Sequence, residues 1–486
     1  MDFITAIRNK NSFVRGSINR CGLRKHFTIL FLTALCYLLT SSLYCQWLET
    51  TIPVDTNPRA MIWNSTNNKV YCIHEGSCNI TVIDAAANRV MTKIDIRDIP
   101  YALVYNPIGN KIYCANISGV SVIDGTTDSV ITTIQAGFAP YALVHNPANN
   151  KIYCANHGSG DLTIIDGSSN LVIRTLPVGS YPRALVFNSY KNKIYCSSYC
   201  NLSVIDGVTD QVITNIAIGG MPNILSYNSL SNKVYCTNIM SQNIAVVDGA
   251  TNRVIKTIFS GGNPTALVYN PTNNKLCCSN SGDNNITIID GATDSVMTTI
   301  QVGNLHKALF YNPINNKVYC TNNGRLEYDS SVTVINGAND SVITTIGVGI
   351  EPIAFTYNPW QNRVYVANLR SSSISVIRDE IPGIEERLTH NARRFTLEIY
   401  PNPSRTNTAI RYTLNAKSKV SLKVYDVAGK LVKILNTGDN ALKPGQYEIK
   451  WDLRDNNQKR ATGGIYFLEI NTKEELREIR KITIVR

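Results

Sequence analysis

Asn312-Pro-Ile-Asn-Asn-Lys-Val-Tyr-Cys-Thr-Asn322, or a close variant of it, appears eight times in this chain of 486 residues. Each copy joins a turn to a short strand. Pro fixes φ and Asn accepts local backbone hydrogen bonds, so Asn-Pro-x-Asn-Asn reverses the chain, while the alternating, β-branched residues after it suit a half-buried strand. The dipeptide that ends that strand marks the register: Tyr71-Cys72, Tyr113-Cys114, Tyr153-Cys154, Tyr195-Cys196, Tyr235-Cys236, Cys277-Cys278, Tyr319-Cys320 and Tyr365-Val366. Successive copies lie 40 to 46 residues apart. A period of that length, with four short strands per copy, predicts an all-β chain built on a β-propeller, each copy being one blade.

The unit from Tyr141 to Gly179 shows the plan. Ala142 to His145, Ile152 to Ala155, Leu162 to Ile165 and Leu171 to Leu176 read as strands. Between them stand the Asn-Pro turn, the polar loop Asn156-His-Gly-Ser-Gly-Asp161 and a turn opened by Asp166-Gly167. The last unit supplies only three strands, Ile353 to Thr356, Arg363 to Ala367 and Ser373 to Ile377. Its missing fourth lies at the other end of the array, where Trp47-Leu-Glu-Thr-Thr-Ile-Pro-Val54 compares with Val342-Ile-Thr-Thr-Ile-Gly-Val348. Pairing it into the last blade would seal the ring and remove two exposed sheet edges. This predicts an eight-bladed propeller over residues 46–378. Seven blades is the alternative, with one divergent copy packed irregularly.

Residues 1–45 have the order of a secretory signal peptide: Arg8, Lys10, Arg15, Arg20, Arg24 and Lys25, then the apolar run Phe27 to Leu39, then Thr40-Ser-Ser42. The apolar run is short for a membrane-spanning helix, so no transmembrane segment is expected after cleavage near Cys45. Residues 379–394 read as a charged linker. Residues 395–486 read as a compact unit of about seven strands, the strand count of a small immunoglobulin-like β-sandwich.

Two resemblances become specific at this point. Tyr400-Pro-Asn-Pro403, Val424-Tyr-Asp-Val-Ala-Gly-Lys430, Trp451-Asp-Leu-Arg-Asp455, Gly463-Gly-Ile-Tyr-Phe467 and Arg480-Lys-Ile-Thr-Ile-Val-Arg486 resemble the C-terminal sorting domain of the bacterial type IX secretion system, and the related immunoglobulin-like domain of flagellar hook-capping proteins. That resemblance implies an export address, a type IX machinery partner, and a final place outside the bacterium or on its outer membrane. The repeats, with Tyr365-Val-Ala-Asn368 the nearest match, resemble the YVTN family of β-propellers of prokaryotic surface-layer and envelope proteins. Fold follows from such a likeness more readily than function, because propellers host many activities.

The formal charge of +12 invites a nucleic-acid reading until it is located. Residues 46–378 hold 21 basic and 20 acidic residues, which leaves no basic stripe for a phosphate backbone. Seven of the 13 cysteines share one repeat position: Cys72, Cys114, Cys154, Cys196, Cys236, Cys278 and Cys320. Packed sheets stand roughly 10 Å apart, whereas a disulfide needs Cα atoms within about 7 Å. These residues are therefore expected as small hydrophobes between blades. Cys72 with Cys78, and Cys196 with Cys200, remain candidates for disulfides across the hairpin from second to third strand.

In a propeller the fourth-to-first and second-to-third loops share one face. The Asn-Pro and Asp-Gly turns on the opposite face are nearly identical in every blade, while the first face varies from copy to copy. That makes it the candidate binding face, with His157, Asp161, Tyr181, Tyr199, Asp283, His306, Lys307, Arg325 and Tyr328 as candidate ligand contacts and Arg97, Phe138, Met221, Met240 and Glu351 also in its loops. The recurrent Asp124, Asp166, Asp206, Asp248 and Asp290 precede turns and are expected to bond backbone donors. The histidines of the repeats fall at unrelated positions, without metal-ligand spacing, and no phosphate loop or nucleophile elbow is present. No catalytic residues, metal or cofactor are expected. The sequence thus favours a non-catalytic propeller that binds a protein or glycan, or builds the cell envelope, without nucleic acid. The alternative is an enzyme or redox propeller, lactonase-like or quinone-dependent, with a metal in its central funnel.

Overall fold

Each repeat folds as one antiparallel sheet because its β-branched segments are separated by turns just long enough to reverse the chain. The computed structural model describes residues 46–323, 330–379 and 395–484, apart from 401, 403, 405, 415–417, 427–430, 444, 457 and 473–476. A leading strand, β1 (Gln46–Pro53), precedes the first complete blade, formed by β2 (Pro58–Asn64), β3 (Lys69–His74), β4 (Asn79–Asp84) and β5 (Arg89–Asp95) in sequence order. Six further four-stranded sheets of the same order occupy residues 100–134, 140–177, 184–217, 222–259, 264–301 and 309–347. The last sheet contains Pro352–Asn358, Arg363–Asn368 and Ser373–Asp379, with β1 on its outer edge. Gln46 stands opposite Asp379 and Pro53 opposite Ser373. The propeller therefore has eight blades, closed by the strand from the other end of the array, and the seven-bladed alternative is excluded.

First strands of successive blades touch one another all round, and the eighth, Pro352–Asn358, meets β2. They form the inner wall. Fourth strands form the rim, where most side chains are exposed. These rim strands are bulged at Met91, Ile131, Ile173, Ile213, Ile255, Met297 and Ile343. A bulge twists an exposed edge away from pairing with another chain.

The core lies between blades. Tyr71, Ile73, Ile80, Val82, Ile94 and Ile96 of the first pack against Ile112, Cys114 and Ile123 of the second, all nearly or fully buried. Burying one such aliphatic side chain is worth about 1.5–3 kcal/mol, against about 0.5–1.5 kcal/mol for a typical hydrogen bond. Packing thus supplies most of the stabilisation and hydrogen bonds set the register between blades. Those bonds recur with the repeat. Tyr71 Oη donates to Asp128 Oδ1 of the next blade at 2.5 Å, and Lys69 Nζ pairs with Oδ2 of the same carboxylate at 2.6 Å. Tyr153 and Lys151 treat Asp210 the same way, as Tyr235 and Lys233 treat Asp294. Nearer the axis, Asn64 Nδ2 donates to Asn110 Oδ1 at 2.8 Å, and the pattern continues until Asn358 donates to Asn68 at 2.9 Å and closes the circle.

The seven repeat cysteines are fully buried, as expected of small hydrophobes. Burial raises the Cys196 thiol to about 12 and pushes Cys72 and Cys154 higher still. Cys78 is half-buried, Cys200 is exposed, and neither is bridged to Cys72 or Cys196. At the turns, Asp124 Oδ1 accepts the backbone N–H groups of Thr126 and Thr127 at 2.7 and 3.1 Å, and its equivalents do likewise.

The chain divides into two compact units near residue 384. The C-terminal unit has a three-stranded sheet, Phe395–Tyr400, Thr408–Leu414 and Gly445–Trp451. Its second sheet orders Leu431–Leu442, Ser418–Asp426, Gly464–Thr472 and Arg477–Ile484. Both sheets contribute to one core around the fully buried Trp451, whose indole N–H donates to Arg454 O at 2.9 Å. The linker and signal-peptide expectations fall almost wholly outside the described residues.

Candidate functional site

In seven blades the inner strand is introduced by a buried proline, at 58, 100, 140, 182, 222, 264 and 352. Backbone geometry around it is specialised on both sides. The preceding residue is left-handed at Asn57, Ala139, Tyr181, Met221, Asn263 and Glu351, with φ between 52° and 60°. Asn tolerates that conformation; bulky residues do so at a cost. The following residue is bulged out of the ladder in most blades, as at Arg59, Tyr101, Tyr141, Thr265 and Ile353. Bulges re-aim side chains. Here they do so at the mouth of the inner wall, on the variable face. From blade one to four the residues after the proline are Arg59, Tyr101, Tyr141 and Arg183; from five to eight the equivalents are Asn223, Thr265, Lys307, which follows His306 instead, and Ile353.

A continuous arc of rings follows from this placement. The Arg59 guanidinium lies 5.1 Å from the centroid of Tyr101, and Tyr101 lies 5.7 Å from Tyr141. His157, from a second-to-third loop, follows at 5.5 Å, then Tyr181 at 5.1 Å and Tyr199 at 6.5 Å. At the end of the arc is a pocket of about 240 Å³ lined by His157, Tyr181, Arg183, Tyr199, Met221 and Pro222. Clefts that enclose a whole small ligand span roughly 300–1,000 Å³. This pocket is therefore suited to one ring of a larger ligand lying along the arc. Tyr181 and Tyr199 are about half exposed, at 53% and 48%. Burial, and after it the charge of Arg183, hold the His157 imidazole below its usual pKa. It is neutral at neutral pH.

Of the residues singled out in the sequence, His157, Tyr181 and Tyr199 come together, and Lys307 stands exposed at the same mouth. Asp161 and Asp283 are committed to loop structure instead. Asp161 accepts from Asn156 Nδ2 at 2.6 Å, and Asp283 accepts the Gly262 N–H at 2.7 Å. His306 corrects the expectation of a loop-surface contact. It occupies the slot filled by proline in the other seven blades and is fully buried, with Nε2 bonded to Gly303 O. Arg325 and Tyr328 lie outside the described residues. Arg59, Tyr101, Tyr141 and Arg183 were missed, although one signal for them was present: each follows the proline that opens an inner strand. Among the described residues no three His, Cys, Asp or Glu side chains gather as a metal site, and no helix is long and apolar enough to cross a membrane.

Comparison with known proteins separates the two units. A solved structure of Kuenenia stuttgartiensis hydrazine synthase aligns at 17% identity over 58% of this chain and 96% of that one, with a TM-score of 0.48. No curated protein matches the chain in sequence. Residues 398–485 match the family described as secretion system C-terminal sorting domain. The C-terminal unit is thus a type IX sorting domain, which implies export to the cell surface or beyond through that machinery.

Proposed function

We propose that the mature protein is a non-catalytic binding protein displayed at the bacterial surface, whose propeller captures a glycan or protein through the arc on its variable face. The observation that carries this reading is the arc itself. Five rings contributed by three blades stand in series on one face, and their phenol groups differ from those of the scaffold. Tyr71, Tyr153 and Tyr235 spend their hydroxyls on the next blade. Among the described residues, Tyr101, Tyr141, Tyr181 and Tyr199 have no hydrogen-bond partner for theirs. Large aromatic surfaces with a free polar tip are the usual anchors of a binding face.

The leader-like residues 1–45 and the sorting domain support delivery to the outside. The repeat motif, in which Tyr ties adjacent blades and the terminal Asn ties strands, supports placing the propeller with YVTN-type repeats. Two measurements test the proposal. Deleting residues 395–486 is expected to leave a folded propeller in the periplasm; undiminished surface appearance would contradict the export route. On glycan and protein arrays, the full mature chain is expected to give hits that Tyr181→Ala with Tyr199→Ala removes. Hits unchanged by that double substitution would move the binding site elsewhere.

A further inference from the structure

The charges around the mouth narrow the class of ligand. At the eight positions that follow the inner-strand slot there are three cations, Arg59, Arg183 and Lys307, and no acid. They stand in blades one, four and seven. Arg59 is neutralised by Glu75 at 2.6 Å. Arg183 and Lys307 have no ion-pair partner among the described residues. The nearby carboxylates are already engaged: Asp161 by the Asn156 side-chain amide, Asp283 by the Gly262 N–H, and Glu351 by Arg370 at 2.8 Å.

Arg183 also lines the pocket together with His157, Tyr181 and Tyr199. A half-buried guanidinium held beside a ring pair without a counterion is poised for a planar anion, which it can grip with two parallel hydrogen bonds. The rings beside it suit flat, hydroxyl-bearing ligands, since free phenol groups can hydrogen-bond while the ring faces stack. A nucleic acid would need a broad cationic footprint, and the propeller has only one more basic than acidic residue. Local positive charge on an almost neutral body, set among exposed tyrosines, fits a ligand with one charge per ring.

We propose that the mouth of the variable face binds an acidic polysaccharide, stacking successive sugar rings on Tyr181 and Tyr199 and holding a sugar carboxylate on Arg183, with Lys307 engaging a second acidic unit. This rests on the binding reading above and specifies it.

The test is calorimetric titration of the full mature chain with hexagalacturonate, hexamannuronate, fully methyl-esterified hexagalacturonate, cellohexaose and hexaglutamate. At least one acid hexamer is expected to bind, with affinity that falls as salt rises. Arg183→Ala and Tyr181→Ala are each expected to weaken it about tenfold or more, with melting temperatures near the parent's. Where hexagalacturonate binds, its methyl ester should be weaker by a similar factor, and Arg183→Ala should abolish discrimination between acid and ester; where only hexamannuronate binds, Arg183→Ala should flatten its salt dependence. A merely structural role for Arg183 would not produce either result. The proposal fails if neither acid hexamer binds, if cellohexaose or the ester binds as tightly as the acid, or if hexaglutamate binds more tightly than both. Neutral glycan binding that still depends on Tyr181 would sink this proposal and leave the broader reading intact.

Discussion

Arg363 donates from Nε and Nη2 to the two carboxylate oxygens of Glu49, at 2.7 and 2.5 Å, across 314 positions of sequence. The ladder between β1 and its partner shifts register between Leu48 and Thr50, so Glu49 is the bulged residue of the closing strand. In the other rim strands the equivalent residue is apolar; here it is a carboxylate turned onto the ring's last blade. The same guanidinium donates to Ala85 and Ala86 carbonyls of the first blade at 2.7 and 3.1 Å. One cation therefore joins the closing strand, the last blade and the first.

Removing Glu49 should loosen that junction. With Arg363 side-chain exposure at 9% and Glu49 at 25%, Glu49→Ala leaves a largely buried cation and is expected to cost about 1–3 kcal/mol. Glu49→Gln should cost less. Thermal unfolding of the mature chain checks both, and an Ala variant that melts at the parent temperature would show that strand pairing alone closes the ring.

His74 is expected to make the protein acid-sensitive. Burial pushes its pKa from the usual imidazole value down to about 4. The unfolded chain then binds the extra proton between about pH 6.5 and 4, so this contribution is intact above that window and lost as pH falls through it. At 1.36 kcal/mol per unit the loss approaches about 3 kcal/mol. Among the described residues neither buried ring nitrogen has a partner of hydrogen-bond geometry, and neither has Thr81 Oγ1. In the third blade the equivalent pair is Asn156 donating to Thr163 at 2.8 Å. His74→Asn should restore that bond, raise stability at pH 7 by about 1 kcal/mol or more, and flatten the difference between urea melts at pH 7 and pH 4.5.

Tyr181 sits at φ 52°, a conformation that Asn57 and Asn263 adopt at the same slot. Tyr181→Asn is expected to stabilise the fold by about 0.5–1 kcal/mol through relief of left-handed strain, while removing array binding. A less stable variant would mean that contacts of the tyrosine ring outweigh the backbone cost.

Thiol reactivity should divide the cysteines by burial. In native protein at pH 8, alkylation followed by peptide mass spectrometry is expected to label Cys200 fast and Cys78 slowly, while the repeat cysteines react only after denaturation. Rapid native labelling of Cys114 or Cys154 would contradict the packing between blades.

Blade count, the closing strand, the turn aspartates and the packed cysteines were all legible in the chain, because each depends on local turn chemistry or on a pattern that recurs every repeat. The blade-to-blade ties were less visible. Tyr71 and Asp128 are 57 residues apart, and only the curvature of the ring makes them partners. His306 was misread because proline fills its slot in seven blades and a histidine there looks like loop chemistry, although the slot is buried whatever fills it.

The sequence by itself determined a propeller of stacked repeats, eight blades favoured over seven, followed by a sorting domain, since repeated short-range signals need no knowledge of what meets across the fold. Tertiary structure alone decided which side chains form the site. Tyr101 and Tyr199 belong to one arc although 98 residues separate them. The physical reason is the bulge or left-handed turn at the inner-strand entrances, which aims equivalent residues of successive blades at a common mouth.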